Sequence, residues 1–563
     1  MSPSPEAVAT AVPELVVSSS DDPKVLERAA AEDYSLHIVP LSWRSSPWSV
    51  SMAWFGLMSA MFWVVVGSTV TLAVGTVDTL IGIAASALSY GAINSVVSRY
   101  AARTGTSVSL FSRALFGRAG SAFAAALFGV TITYYVVAEG AIVASALHAY
   151  LPALPMAVCC LIVVVYQAPL AMRGVNTWLD KINGVLLPLY LLGLVGSVVW
   201  AVVRYGYSND WLTYEPAGAA DLGVPGWSFA YTVYMGVWVV TMMAWDFARF
   251  GRPADAAFNG RVTFGTPFYL MTLLVNGMVG IFLAHTIDIA GELNEESAIL
   301  GVVSMMGFWG LLWVVVSQTR VNSGNFYLAS TNVQNFFARA CRLTLPRVFW
   351  LGVVAVIVYV MMLTNVLSWI LQALTYQGVI IVSWVAIALT HILLTSRDAS
   401  RTGPEIRPGR VPAVNPAGVT AWGVSSVAGI AMVAFGGSAG SVWAPPVSCV
   451  LAAVLYGVAL RLSKPAWFTL ARPFDPRDEV DDPWETRVRC HSCGDSYIAY
   501  EMDRDPAAGH QAICLACASD TPGFLAAAQA EAAAYRVAPG AGAARAGVAL
   551  QEPEEPEKQV PVP

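Results

Sequence analysis

Apolar stretches of about 20 residues, the length a helix needs to cross the hydrocarbon of a bilayer, recur about twelve times along this chain. They run near 51–75, 79–97, 121–147, 154–171, 182–203, 229–245, 262–285, 299–326, 349–370, 371–394, 418–435 and 442–460. The ninth and tenth almost touch, and their separation rests on Gln372 and the polar pair Tyr376 and Gln377. Between the stretches, basic residues alternate in side. Arg99, Arg103, Arg113, Arg118, Arg173, Lys181, Arg249, Arg252, Arg261, Arg339, Arg342, Arg347, Arg397, Arg401, Arg407 and Arg410 fall in one set of loops, and Arg204 stands almost alone in the other. Lys and Arg mark cytoplasmic loops. The pattern therefore predicts an all-α, multi-pass protein of the plasma membrane with both termini in the cytoplasm.

Composition agrees. The chain is 56% hydrophobic and 12% charged, against about 25% charged for a soluble domain. A net charge of −6 gives no reason to expect a nucleic-acid partner. Residues 1–35 are polar and acidic without a basic n-region, so no signal peptide is expected. The expected organisation is a disordered cytoplasmic N-terminus (1–40), a 12-helix domain (41–464), an acidic linker (465–485), a small Cys-containing module (486–520) and a disordered tail (521–563), with a short helix allowed before Pro539.

Polar residues inside apolar spans are costly and mark function. The eighth stretch runs into SQTRVNSGN, where Gln318, Asn322 and Asn325 fall at i, i+4 and i+7 on one helical face. Three amides in a stripe can read the alternating donors and acceptors of a planar heterocycle. The competing reading is helix–helix adhesion, since buried amides often bond neighbouring helices. Arg320 points to nearly the opposite side. Glu139 lies midway along the third stretch, one turn after Tyr135. A ring and a carboxyl can wall a flat ligand bearing N–H groups, and Glu139 can also carry a coupling proton. Its structural alternative is a partner for Arg320 or for a backbone break. In the sixth stretch Gly236 permits a break and Trp238 offers a stacking face. Asp246 and Arg249 mark the end of that stretch, where a salt link is possible. Gly56, Ser59 and Gly67 give a weaker sign of a break in the first.

The C-terminal module carries two C-x2-C pairs, Cys490 with Cys493 and Cys514 with Cys517, 20 residues apart. That spacing suits a four-thiolate tetrahedral zinc site, with Gly494 at the tight turn. Mononuclear iron and a redox dithiol are alternatives. Such ribbons bind proteins or nucleic acid, or simply fold a tail; a cytoplasmic protein partner is one expectation.

Four segments resemble, in register, the nucleobase–cation symporter-1 family of purine–cytosine, hydantoin and allantoin permeases. These are EDYSLHIVPLSW before the first span, TGTSVSLFSRALFGRAG between the second and third, WDFARF at the end of the sixth and SQTRVNSGNFY in the eighth. The resemblance covers about residues 33–462. It implies a leucine-transporter-like fold: a 5+5 inverted repeat plus two helices, with helices one and six discontinuous. It also implies a nucleobase-like substrate sandwiched between Tyr135 and Trp238, its edge read by Glu139 and by Asn322 or Asn325. Relatives often carry Trp where this chain has Tyr135. Sodium-coupled relatives hold the cation between first-helix carbonyls and eighth-helix hydroxyls, here Ser317 and Thr319. Arg320 beside them can take sodium's place, so coupling to sodium, to a proton or to neither stays open. The expected function is a secondary transporter for a nucleobase or related ring. The alternative is a permease-like membrane receptor that signals through its zinc module. No catalytic grouping points to an enzyme.

Overall fold

The computed structural model describes residues 12–174, 179–216, 223–287, 297–364 and 370–537. Every apolar stretch is helical, because hydrocarbon leaves the backbone few partners besides itself. Ahead of the first lie β1 (Val17–Ser18) and α1 (Pro23–Glu32), whose N-cap Asp22 accepts a hydrogen bond from Lys24 N. The first span is broken into α2 (Pro47–Trp54) and α3 (Met61–Val74), bent by 41° around a tight turn at Leu57–Ser59. Then come α4 (Thr76–Thr104), α5 (Val108–Tyr150), α6 (Met156–Leu170) and α7 (Asp180–Tyr205). The sixth span is broken into α8 (Gly226–Met235) and α9 (Val239–Ala248), bent by 43°. The seventh, Pro253–Thr286, joins α10 (Ala256–Phe258), α11 (Thr266–Tyr269) and α12 (Asn276–Thr286) through π-turns. It is followed by α13 (Ser297–Met306), α14 (Phe308–Ala340), α15 (Arg347–Met362), α16 (Ile370–Thr402), α17 (Pro416–Phe435) and α18 (Gly437–Leu462).

Among the described residues, seven helical rods are long and apolar enough to cross a bilayer, or nine when each bent pair counts as one span. α6 and α15 are shorter, at 15 and 16 residues. α14 is 33 residues long and bears the polar stripe. Among the described residues each expected stretch falls on one helix or on a broken set of helices, with two boundary corrections. Gly307, at φ 57°, breaks the predicted eighth span and separates α13 from α14. α15 ends at Met362 and α16 starts at Ile370, so the ninth and tenth spans part before Gln372 rather than at it.

α5 changes direction at Gly117 (φ 78°), so its first turns are set apart from the spanning part. The bend frees backbone groups, and a neighbouring loop satisfies them. Arg118 N donates to Pro412 O, Ala119 N donates to Ala413 O, and Asn415 N donates to Phe116 O. A Cβ at 117 would meet Ala413 O at 2.9 Å and Asn415 N at 2.8 Å, so only glycine fits there.

The tails depart from expectation. Residues 12–40 fold against the C-terminal module. β1 pairs antiparallel with β2 (Arg487–Arg489), which pairs with β3 (Ser496–Ile498); β4 (Asp503–Asp505) and β5 (Gln511–Ile513) form a hairpin. α17-side loops close the other flank, followed by α19 (Leu515–Asp520) and α20 (Pro522–Val537). The rest of the predicted tail, 538–563, and residues 1–11 lie outside the described residues. His37 bonds Glu501 at 2.6 Å and stacks on Tyr497 at 3.9 Å, and Arg28 pairs with Asp495 at 2.9 Å. The acidic linker is also not free. Arg407, in the loop after α16, is buried between Glu405 (2.7 Å) and Asp475 (2.6 Å), while Arg410 and Arg472 share Asp503. Sequence reading missed this because linker acids and loop arginines look equally solvated until tertiary structure juxtaposes them.

Burial opposes ionisation of Glu405, but Arg407, Arg477 and Arg410 outweigh it and hold the carboxyl at about 2, down from 4.5. Asp475 is likewise held below its usual range, against burial, by Arg407. A carboxyl lowered in the folded state contributes stability above its unfolded value and loses it as pH falls. The docked module is therefore expected to hold above about pH 4.5 and to loosen as pH falls toward 2, read as pepsin cleavage within 464–486. Arg407→Ala, which strands two buried carboxylates at a cost of about 3–5 kcal/mol, should expose the same segment to trypsin at neutral pH. An unchanged cleavage rate would show the network to be dispensable.

Candidate functional site

The two broken spans meet α5 and α14 in the interior of the helical domain. Each break exposes backbone groups, and side chains from other helices answer them. At the first break, Asn183 donates to Ala53 O, Arg320 to Phe55 O (2.9 Å) and Asn276 to Met58 O (2.8 Å). Ser317 Oγ donates to Ser59 O, and Met61 N donates to Gln318 Oε1 at 3.3 Å. The residues that the sequence set apart in the eighth span thus hold the first span open.

Gln318 also donates to the Glu139 carboxylate and, at 3.2 Å, to Glu139 O. Glu139 is 3% exposed. Among the described residues it makes no ion pair, so the alternative reading of Glu139 as the partner of Arg320 does not hold. Arg320 instead faces α7, with its guanidinium carbon 5.6 Å from the centre of the Tyr190 ring. Its Nε and Nη1 are buried without a hydrogen-bond partner. Asn322 donates to Val136 O (3.1 Å) and to Gln167 Oε1 (2.9 Å), tying α14 to α5 and α6. Asn325 Nδ2 donates to Asn322 Oδ1 at 3.2 Å, while Asn325 Oδ1 is buried with no partner. Thr319 turns to Tyr166 of α6 at 3.2 Å, away from the first span.

A small cavity of about 20 Å³ lies at this junction. Its polar wall is Tyr135, Glu139 and Asn325, and its apolar wall includes Phe62 and Trp63 on α3 and Val237, Val239, Val240 and Met243 around the second break. It has room for a water molecule and none for a ring. The structure therefore brings Tyr135, Glu139, Gln318 and Asn325 together. It does not bring Trp238 with them. That indole packs edge-on against Tyr90 of α4, ring centres 6.2 Å apart, and does not line the cavity. The rings that meet Tyr135 are Phe62, at 6.2 Å and 83°, and its neighbour Tyr134, at 6.2 Å and 69°. Nor do Asp246 and Arg249 form an ion pair among the described residues: Asp246 accepts from Val108 N, and Arg249 donates to the carbonyls of Asp33 and Tyr34.

Four contributors escaped the sequence reading. Phe62 and Trp63 sit in an apolar run where aromatics are common. Gln167 stands alone in the fourth span, a signal that could have been weighed as the eighth span's was. Gln377, used only to mark a helix end, donates to Tyr135 OH at 3.1 Å.

In the C-terminal module the sulfurs of Cys490, Cys493, Cys514 and Cys517 all lie within 4.8 Å of one another. Tetrahedral zinc–sulfur bonds of about 2.3 Å place sulfurs about 3.8 Å apart, and Cys493 and Cys514 stand 4.0 Å apart. Gly494, at φ 78°, donates its N–H to Cys490 O and folds the first pair back on itself. The donor set and its compactness fit one metal ion.

Comparison with known proteins follows the same lines. The profile of a family described as permeases for cytosine and purines, uracil, thiamine and allantoin matches residues 40–457. A search of curated protein sequences finds no match. Among solved structures, the chain is similar to Mhp1, a nucleobase–cation-symport-1 family transporter, in a closed conformation with bromovinylhydantoin bound. The TM-score is 0.61 at 16% identity, over 76% of this chain and 96% of that one. It is similar to the inward-facing conformation of Mhp1 (TM-score 0.59, 15% identity, 75% and 92% covered). A sodium-coupled sialic acid symporter in a substrate-bound outward-open state matches less well (TM-score 0.53, 10% identity, 78% and 93% covered). These likenesses establish a leucine-transporter-like fold, consistent with breaks in spans one and six. With its profile matched over most of its length, this multi-pass membrane chain belongs to the cytosine/purine, uracil, thiamine and allantoin permease family, a family of transporters rather than enzymes.

Proposed function

We propose that this protein carries a nucleobase-like planar heterocycle across the plasma membrane by alternating access, with both termini in the cytoplasm. The observation that carries the reading is the junction itself. Two broken spans face two continuous ones around a buried carboxyl, an unpartnered amide oxygen and a tyrosine ring. The Glu139 and Asn325 oxygens are acceptors, so they select a ring that presents N–H groups, as cytosine, purines, hydantoins and allantoin do. The cavity is closed, and a ring enters only when the broken segments carrying Phe62, Trp63 and Val237 withdraw from α5 and α14. Transport then amounts to rocking one set of helices against the other about this point.

Roles divide accordingly. Tyr135, Glu139 and Asn325 contact substrate. Gln318 orients Glu139, and Asn322 fastens α14 to α5 and α6. Uptake of radiolabelled cytosine, hypoxanthine, hydantoin or allantoin into proteoliposomes tests this. Glu139→Ala and Asn325→Ala should each lower uptake about tenfold or more, the cost of one hydrogen bond to a buried polar group, in protein that still inserts and folds, as gel filtration in detergent checks. Asn322→Ala should instead lower stability by about 1–3 kcal/mol, since it strands Gln167 Oε1 and Val136 O. Trp238→Ala should act through packing on Tyr90 and shift the melting temperature. Binding without flux in the wild-type protein would favour a receptor over a transporter.

Arg320 supports a further assignment. Its guanidinium bonds Phe55 O beside Ser317, the region where sodium-coupled relatives are expected to hold their cation, and Thr319 is turned away. A fixed positive charge there makes sodium unnecessary, and Glu139 is the group that carries a coupling proton. Uptake should persist when sodium is replaced by choline and fall when the proton gradient is collapsed; the reverse pattern would remove this role from Arg320.

Zinc is the metal best suited to four thiolates in this tetrahedral arrangement, and it would hold the module folded where it docks on the membrane domain. Purified protein should contain about one zinc per chain, falling toward zero in Cys490→Ser and Cys514→Ser by elemental analysis. A zinc content that these substitutions leave untouched would place the ion elsewhere.

A further inference from the structure

A cavity of about 450 Å³ opens on the arginine-rich side of the membrane domain, where the start of α5 meets the end of α14. Four arginines line it: Arg113, Arg118, Arg339 and Arg342. No carboxylate lines it, and among the described residues none of the four forms an ion pair. Their recorded partners are neutral. Arg113, 4% exposed, donates to Ile406 O (3.1 Å) and Ser519 Oγ (3.0 Å). Arg118 donates to Pro408 O at 3.2 Å, and Arg339 to Ser109 O at 2.7 Å and Ser109 Oγ at 3.0 Å. Arg339 Nε is buried with no partner. From outside the cavity Asp520 attracts both Arg113 and Arg342, Glu501 attracts Arg113 and Asp246 attracts Arg339, but Arg113 also repels Arg118 and Arg339. The recorded hydrogen bonds of these guanidinium groups go to neutral carbonyls and hydroxyls, and these carboxylates stay outside the cavity wall. Arg113 is buried, Arg118 and Arg339 are half-buried and Arg342 is exposed, so the cluster holds like charges partly out of water, which an anion among them relieves.

Guanidinium forks match phosphate oxygens in pairs, so a phosphate group is the anion that such a cluster recognises best. The surroundings identify its source. Ala119, an exposed residue of α5, forms part of the rim. Phe123 (56% exposed) and Val130 (70% exposed) continue the same face along the helix. An anionic group seated among the arginines thus has an apolar, lipid-facing track leading from it. On the far side, Ser519 and Leu525 close the cavity. We propose that this cavity binds the phosphate-bearing headgroup of an anionic phospholipid from the leaflet on the arginine-rich side, with the acyl chains lying along Phe123 and Val130. Basic pockets between spanning helices at the membrane surface are suited to such lipids.

Arg118 and Arg342 are the substitutions to test, because Arg113 and Arg339 are more deeply built into the packing. Purified full-length protein in neutral detergent is titrated with dioleoylphosphatidylglycerol, and bound lipid is counted by native mass spectrometry. Dioleoylphosphatidylcholine, inorganic phosphate and glycerol phosphate are run in parallel. The expected result is retention of phosphatidylglycerol but not phosphatidylcholine. Binding should weaken at least tenfold in the Arg118→Gln/Arg342→Gln double variant, recover in Arg118→Lys/Arg342→Lys and stay unchanged in Arg461→Gln, an exposed arginine at the end of α18. Equal retention of the two lipids, or equal loss in Arg461→Gln, would overturn the site. Displacement of the lipid by glycerol phosphate or inorganic phosphate at equal concentration would overturn the lipid as its occupant.

Discussion

A helix that breaks inside a membrane must find hydrogen-bond partners for the backbone it releases, because lipid supplies none. The interior of this protein is organised around that need. The first span opens between Trp54 and Met61, and the freed groups are met by Asn183, Arg320, Asn276, Ser317 and Gln318 from three other helices. These bonds make the break a fixed feature of the fold. They also make it a joint, because each joins a broken span to a continuous one. Movement of α2 and α3 against α14 has to exchange these bonds, which ties the geometry of the site to the motion that transport demands.

The same bonds explain why polar residues crowd α14. Gln318 does two things at once: it caps Met61 N and holds the Glu139 carboxylate. Asn322 joins three helices, and Asn325 leaves one oxygen uncommitted beside the cavity. Adhesion thus accounts for Gln318 and Asn322, and recognition is proposed for Asn325 on the same stripe. Buried amides that are fully bonded to protein stiffen the wall; the one that is not is free to meet a ligand.

Outside the bilayer the organising force is charge. The Cys-containing module is tied to the chain's own N-terminal segment by strand pairing and by the Arg28–Asp495 and His37–Glu501 contacts, and to the loop after α16 by Arg407 and Arg410. Arg28, His37 and the loop arginines all precede or follow spanning helices, so the module contacts several elements of the helical domain at once. The thiolate cluster, the ion-pair network and the arginine-lined cavity thus occupy one face of the molecule.

Much of this was legible from the chain alone, for a clear reason. Hydrocarbon imposes one length and one polarity on every span, so the helical stretches and the exceptional polar residues could be read position by position. Glu139, Gln318 and Asn325 stood out because each violates that rule, and the four cysteines because metal spacing is local. Pairing was not legible. Trp238 belongs with Tyr90 rather than Tyr135, Arg320 with Phe55 O rather than Glu139, and the linker acids with Arg407, because each choice depends on where helices distant in sequence come to rest. Gly307 and Gly117 show the same limit at the level of the backbone, where any glycine permits a turn but the neighbours decide which one makes it. Periodicity along the chain determined what is buried; only the packed helices determined what each buried group touches.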